Sequence, residues 1–541
     1  MIKIINGEVY DPINGINGEV RDIYVKDGAI AGEDAGGRTI DAAGMVVMPG
    51  GVDMHCHIAG PKVNIARKMR PEDHRGDVQH KTALMRSGTA GSVPTTFTTG
   101  YRYAAMGYTA AFDAAVPPLA ARHAHEELND TPVVDKGFYV LMGNNEFVMQ
   151  QIAAGNKEQL RDFVAWLLQA TKAYAIKIVN PGGVEMWKSL GNVHTLDDQV
   201  TGFEVTPRQI IQNLADTAKD LGLPHRLHIH CNNLGIAGNW ATTLETMKAL
   251  DGRNGHLTHI QFHSYGGEPG GLFHSKTAEL VDYINNHPNL SVDVGQVMFG
   301  DTTSMTGDGP LGYLLYQATG RKWVNVDVEN EEGCGIVPIE YKDKSYIHAT
   351  QWAIGLEWFL MMQDPWRIAL TTDHPNGASF MSYPRIIRLL MDREYRKEMI
   401  QKANQKALAK TILPDLDREY TLYEIAIITR AAPARLLGLQ NKGQLGVGAD
   451  ADITIYDKNS DWEKMFAVPR YVIKNGSVLV EDGQLRENVF GRTFFVNPSY
   501  NPDIEETIHE YFDKYYTVEF ENYPVQLNHY LPNHVAVDCR P

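Results

Sequence analysis

The chain has 541 residues, of which 43% are hydrophobic and 21% are charged, a composition typical of a globular protein with a large core. Its formal net charge of -16 argues against a nucleic-acid-binding protein, which generally has a basic face, and against binding to anionic membranes. The four cysteines are far apart and form no C-x-x-C pair, which excludes an iron-sulfur cluster or a zinc ribbon. Since the sequence has no apolar run of spanning length and no leader-like start, we expect a cytoplasmic protein.

Both ends of the chain contain short β-prone runs separated by Asn-Gly and Asp-Gly pairs, which are hairpin signals. The N-terminal part includes D-I-Y-V-K-D-G-A-I, and the C-terminal part includes R-Y-V-I-K-N-G-S-V-L-V. Separate sheets of so few strands would be marginally stable. The sequence therefore predicts one small β-sandwich, built from residues 1–47 together with 430–495.

Residues 48–429 alternate β-like runs with helix-compatible segments, the pattern of a parallel sheet with crossover helices. This predicts an α/β fold, a TIM-like (β/α)₈ barrel whose functional groups lie at the carboxyl ends of the strands. Residues 300–365 are long for a connection and are expected to form an insertion over the barrel mouth. The aromatic-rich residues 496–541 are predicted to dock on the barrel or on a neighbouring protomer. The eight predicted strands are 52–57, 107–114, 138–142, 173–179, 226–231, 258–263, 291–297 and 367–372.

Histidines stand at the end of the first predicted strand, in G-V-D-M-H-C-H. Because side chains alternate along a strand, His55 and His57 point to one side and Cys56 to the other. Two imidazoles that converge can bind a metal ion, although a lone H-x-H is often only a polar strand edge.

The fourth predicted strand places Lys177 among apolar neighbours, in I-K-I-V. Burial lowers the pKa of a lysine, and a neutral amine can react with carbon dioxide to give a carbamate that bridges two metal ions. A buried ion pair is the alternative. The histidines and Asp373, which follows the eighth strand, favour the carbamate.

Further histidines end the fifth and sixth predicted strands. His230 and His263 are the preferred ligands because they are nearest the loops, while His228 and His259 are either alternative ligands or lie one layer below. Neutral imidazoles, a bridging anion and Asp373 suit two divalent ions, with zinc as the preferred metal. Two such ions would supply hydroxide at neutral pH, and Asp373 would act as general base and then as general acid.

In this order along the chain, the motifs resemble those of the amidohydrolase superfamily. The stretches H-C-H-I-A-G-P-K-V-N-I-A-R-K-M-R-P-E-D-H, I-K-I-V-N-P-G-G, H-I-H-C-N-N-L-G and T-T-D-H-P-N-G-A resemble a narrower group, the A-type subunits of formylmethanofuran dehydrogenases and of bacterial formyltransferase/hydrolase complexes. This resemblance implies hydrolysis, or the reverse formation, of an N-formyl amide on a furfurylamine-type one-carbon carrier. It also implies that other subunits of such a complex are partners.

Two alternative functions are considered for this sequence. A cyclic-amide hydrolase of the hydantoinase or dihydropyrimidinase kind would have the same ligands, and a non-catalytic scaffold subunit would have lost the metal.

Candidate substrate-binding residues lie next to the ligands. Residues 60–75 have a local net charge of three positive, including Lys62 and Arg67, and could attract the polyglutamate-type tail that the resemblance implies for the carrier. Asn64 and Asn180 are close in sequence to ligands and could orient them or the substrate. A solvated charged loop and local turn caps are the alternatives.

Overall fold

The computed structural model describes residues 1–34, 36–189, 191–326 and 334–540, and its centre is a barrel of eight parallel strands. Each strand pairs with the next along the chain, and a bridge joins Cys56, at the end of the first strand, to His374, which lies beyond the last. The barrel is therefore nearly closed, as predicted. Its strands are Gly51–Cys56, Tyr108–Val116, Asp135–Leu141, Ala175–Val179, Leu227–His230, Gly255–Leu257, Leu290–Asp293 and Ile368–Ala369.

One predicted barrel strand is misplaced. The sixth strand is Gly255–Leu257, whereas the sequence predicts 258–263, and Ile260–His263 forms a 3-10 helix. The chain turns at His259, whose φ of 34° is in the left-handed region. This turn places His259 two residues beyond the end of the strand and His263 one helical turn further along.

Helices cover the outside of the barrel. Pro207–Asp220 begins with a capping box between Thr206 and Gln209, and its buried stripe includes Ile210 and Leu214. Other helices include Thr96–Ala105, Ala121–Asp130, Glu146–Ala153, Lys157–Thr171, Trp240–Ala249, Thr277–Asn285, Tyr346–Met361, Tyr383–Met391 and Arg393–Lys402. In the described residues no helix is both long and apolar enough to cross a bilayer.

Strands from both ends of the chain form a single nine-stranded sheet beside the barrel. The two chain ends meet where Met45–Pro49 pairs antiparallel with Ile453–Asp457. The remaining strands are Ile2–Asp11, Ile16–Lys26, Ala29–Ala31, Arg38–Asp41, Tyr471–Lys474, Ser477–Glu481 and Gln484–Leu485.

The domain boundaries drawn from the sequence stay a prediction. Two strands near the C-terminus lie close to the boundary predicted at residue 495. Thr493–Val496 pairs with the third barrel strand at Lys136, not with the end sheet. His534–Val537 adds parallel to Thr493–Val496, and the helix Ile504–Tyr515 contacts Lys157–Thr171. The C-terminal residues thus pack on the barrel of their own chain.

The predicted insertion after the seventh strand has its own small sheet. Gly300–Thr306 and Val324–Val326 both pair antiparallel with Cys334–Tyr341, and the helix Gly309–Thr319 packs on that sheet. Residues 327–333 of this insertion, which are rich in Asp, Glu and Asn, lie outside the described residues.

A buried ionic cluster joins the end sheet to the barrel floor. Lys474 Nζ lies 2.8 Å from carboxylate oxygens of Asp135 and Asp452, and Lys442 Nζ lies 2.8 Å from Asp450 and Asp452. Arg492 also contacts Asp135 and Asp450. Three carboxylates thus face three cations, so the aspartates need no metal ion here.

Replacing Lys474 with methionine should lower the free energy of unfolding by about 3–5 kcal/mol, because it leaves buried carboxylates without a counter-charge. Urea denaturation near neutral pH measures this. Lys464→Met is the control, since the Lys464 side chain is 75% exposed and lies 3.7 Å from Asp461. Equal destabilisation by the two variants would contradict the structural role of the cluster.

Candidate metal centre

The two histidines of the first strand converge at the barrel mouth. His55 Nε2 lies 2.9 Å and His57 Nε2 lies 3.0 Å from the same Asp373 oxygen, Oδ1. Cys56 points away from both, and its thiol donates a hydrogen bond to the Phe112 carbonyl. The alternation expected from the sequence therefore brings two imidazoles and one carboxylate together.

Three residues that follow strand ends have unusual backbone conformations, and two of them, His259 and Asp373, are ligand candidates. Asn180, His259 and Asp373 have φ values of 41°, 34° and 50°, in the left-handed region that non-glycine residues rarely adopt. Strained backbone of this kind clusters at functional sites because the fold holds side chains in required positions. At Asp373, burial raises the pKa of the carboxyl, but His259 and His55 lower it by more, so the carboxylate is ionised.

Histidines of the fifth and sixth strands form the other side of the site. Nitrogen atoms of His230, His259 and His263 lie within 4.8 Å of one another, and His259 is equally close to His55 and Asp373. Burial holds the pKa of each of these three histidines well below its usual value, which keeps the rings neutral. His259 lines the cavity above the barrel together with His230.

Lys177 lies between these groups. It is fully buried, and burial lowers the pKa of its amine to about 7. The strand register places Lys177 level with His228 on the neighbouring strand, and Val179 level with His230. His228 is therefore one layer deeper than His230, and its Nε2 contacts His55 Nδ1 at 3.0 Å.

Two buried carboxylates that were not predicted from the sequence lie on the Nδ1 side of His55 and His57. Asp293 Oδ1 accepts hydrogen bonds from the His259 backbone and the Thr371 hydroxyl, and its Oδ2 lies 3.4 Å from His55 Nδ1. Asp113 Oδ1 lies 3.6 Å from His57 Nδ1. Both occur inside apolar strand sequences, S-V-D-V and F-D-A-A-V. An acidic residue in such an apolar run is the sequence feature that could have predicted them as part of the site.

A cavity of about 610 Å³ opens above these side chains. One wall comes from the insertion after the seventh strand and is apolar, with Leu311, Leu314, Leu315 and Ile339. Phe262 and Phe273 add aromatic surface. Lysine and arginine side chains in the lining are Lys62, Lys177, Arg321 and Lys342.

Of the predicted substrate-binding residues, one lines the cavity and the others are bonded to neighbouring side chains outside its lining. Lys62 lines the cavity, but Arg67 is buried and binds Glu127 at 2.7 Å and the Asn64 side chain at 3.1 Å. Asn180 accepts a hydrogen bond from Asn232 at 2.7 Å. The structure thus brings only Lys62 of these four into the cavity lining.

The donor set can hold a divalent metal ion. Within the described residues no hydrogen bond satisfies Lys177 Nζ, His230 Nε2 or His259 Nδ1, although all three atoms are buried. Buried polar atoms in proteins generally have partners, and neutral imidazole nitrogens without one are suited to bind a divalent cation.

The comparison with known proteins agrees with this arrangement. A model of the Amidohydrolase family matches residues 38–480. The chain belongs to the amidohydrolase family. Protein FwdA of Methanocaldococcus jannaschii is 49% identical over 546 residues, covering 96% of each chain. The A-type subunit of the formyltransferase/hydrolase complex Fhc of Methylorubrum extorquens is 37% identical over 526 residues, covering 94% of each.

Among solved structures, this member of the amidohydrolase family is similar to a chain of the formyltransferase/hydrolase complex from Methylorubrum extorquens, crystallised with methylofuran. The TM-score is 0.94 at 35% sequence identity, and the alignment covers 100% of both chains. The barrel, the end sheet and the insertion are therefore shared over the whole length.

Proposed function

We propose that this chain is the hydrolytic subunit of a formyltransferase/hydrolase-type complex, and that it hydrolyses, or reversibly forms, the linear formamide of a formylated furfurylamine carrier. The main observation behind the proposal is the buried Lys177 amine, which has no hydrogen-bond partner among the described residues and lies among histidines and Asp373 at the barrel mouth. The relatives named for such complexes, and the one crystallised with methylofuran, support the substrate class.

The metal ligands in this proposal are the residues whose nitrogen and oxygen atoms meet in the cavity: His55, His57, Lys177 as its carbamate, His230, His259 and Asp373. His259 is preferred over His263 because it is two residues beyond the end of the sixth strand and lines the cavity. When bound, two zinc ions would polarise the formyl oxygen and lower the pKa of water toward neutrality.

Asp373 performs the proton transfers in this scheme. Its carboxylate is ionised and contacts both His55 and His57, so it is held at the base of the cavity. There it would take a proton from the attacking water and return it to the leaving amine nitrogen. Without that proton the amine is a poor leaving group.

The cavity walls suit the two ends of such a carrier. The apolar wall with Leu311 and Phe262 offers a dry surface to a furfuryl ring. Lys62, Arg321 and Lys342 would attract the carboxylates of an acidic tail. The other subunits of the complex are the proposed partners, and the proposed location is the cytoplasm.

The native assembly, purified with its co-purifying subunits, should release formate from formylated methylofuran, as measured with a formate dehydrogenase assay. Chelation should abolish the release and zinc should restore it. Hydantoin and dihydrouracil serve as competing substrates, and we expect kcat/KM for them to be at least about 100-fold lower.

Two results would contradict the proposal. Faster turnover of the cyclic amides than of the formamide would favour a hydantoinase-type enzyme. No turnover of the formamide in either direction, with the assembly intact, would favour a scaffold.

A further inference from the structure

Below the candidate metal centre lies a row of three buried histidines, two of which the proposed reaction does not use. His225 Nε2 lies 3.0 Å from His228 Nδ1, and His228 Nε2 lies 3.0 Å from His55 Nδ1. The row begins at a backbone group, because His225 Nδ1 lies 2.7 Å from the carbonyl oxygen of Leu436. We call His225, His228 and His55 the histidine row.

The direction of the hydrogen bonds in the histidine row follows from its first member. A carbonyl oxygen can only accept, so the proton of His225 is on Nδ1. Complete burial of His225 and His228 favours neutral rings, and two ring nitrogens 3.0 Å apart in a hydrogen bond share one proton. His225 Nε2 therefore has a lone pair and accepts the Nδ1 proton of His228.

The same reasoning extends to His55. His228 Nε2 has no proton, so it accepts the Nδ1 proton of His55. Asp293 Oδ2 lies 3.4 Å from His55 Nδ1 and is a second acceptor for its proton. The Thr258 hydroxyl also contacts His55 Nδ1. The opposite direction would place the lone pair of His225 Nδ1 against the carbonyl oxygen, which is repulsive.

We propose that His225 and His228 are positioning residues that fix the tautomer of His55, so that its Nε2 lone pair faces the metal site beside Asp373. A metal ion binds only an unprotonated imidazole nitrogen, and partners of the other ring nitrogen hold the ring in orientation. The proposal rests on the metal centre in the proposed function but not on its substrate. The hydrogen bond from His225 to the Leu436 carbonyl thus sets the proton positions of all three rings in the histidine row.

The test is the zinc affinity of variants, measured by competition with a chromogenic chelator. His225→Leu removes the acceptor for His228, so His228 and His55 can exchange tautomers, and we expect zinc to bind about 10- to 100-fold more weakly. His225→Gln should recover part of the affinity, because its amide oxygen can reach His228. Visible absorption of the cobalt-loaded protein is a second readout, and its bands should change in the leucine variant.

The matched control is His125→Leu. His125 is also fully buried and bonds a backbone carbonyl, that of Thr171, through Nε2 at 2.9 Å, but it lies on the helix Ala121–Asp130, away from the site. It should lower thermal stability without changing zinc affinity. If His225→Leu does not fold, His225→Asn replaces it, because the shorter amide keeps the bond to Leu436 but does not reach His228.

The outcomes separate the two proposals. The positioning role would be overturned if the leucine or asparagine variant bound zinc within about twofold of the unaltered protein and its cobalt spectrum were unchanged. That result would leave the proposed function intact. Failure of the unaltered protein to bind zinc would overturn both.

Discussion

Replacing Lys177 with alanine should remove bound metal and reduce formamide hydrolysis at least about 1,000-fold, the scale seen when catalytic groups that act together are lost. The amine is buried with no hydrogen bond among the described residues, and burial lowers its pKa to about 7. Its carbamate would provide the anionic oxygens that bridge the two metal ions. Without it, Asp373 is the one anion left in the proposed ligand set beside neutral imidazoles, which is too little negative charge for two divalent cations.

Lys136→Ala is the matched control for this variant. Lys136 is also buried in a barrel strand, and burial lowers its pKa to about 8, but its Nζ bonds the Thr131 carbonyl. Elemental analysis should find metal in the Lys136 variant and little in the Lys177 variant. Metal content and activity that survive in Lys177→Ala would refute the bridging role.

The carbamate also predicts a dependence on carbon dioxide and pH. Only the neutral amine reacts with carbon dioxide. Because burial lowers the pKa of Lys177 to about 7, its amine is mostly neutral when the pH is above that value. Zinc uptake by the metal-free protein should therefore be faster with bicarbonate and should slow as the pH falls below that value.

Asp373→Asn should lower kcat by about 100- to 10,000-fold, with a smaller change in KM. A carboxamide has nearly the same shape, but it cannot accept the proton of the attacking water or return it to the amine. Steady-state kinetics on the formylated carrier measure the effect.

The control is Glu340→Gln, which changes a carboxylate in the outer cavity lining that pairs with Lys342 at 3.3 Å. Its kcat should stay within about threefold of the unaltered protein, since Glu340 lies outside the donor set. If kcat for Asp373→Asn equals that of Glu340→Gln, Asp373 does not transfer the protons in this reaction.

The period-two alternation of strands accounts for what the sequence could predict about the site. It placed His55 and His57 on one side of their strand, and Lys177 with His230 on inward-facing positions of neighbouring strands. It failed at T-H-I-Q-F-H, which alternates like a strand, because the turn at His259 depends on tertiary contacts such as the bond from its backbone to Asp293.

Contacts between distant segments explain the other differences. Charge counting predicted a positive loop at 60–75, but Arg67 pairs with Glu127, and Arg70 lies 3.3 Å from Asp301 of the insertion. Neither acid is near in sequence. The same holds for Asp113 and Asp293, which contact histidines of another strand.

The most direct test of the account is anomalous X-ray diffraction at the zinc edge, on crystals of the assembly purified without chelators. We predict two peaks about 3.5–4 Å apart among His55, His57, His230, His259 and Asp373, with a carbamate on Lys177 between them. A cavity without an anomalous peak, and Lys177 with an unmodified amine, would contradict the account.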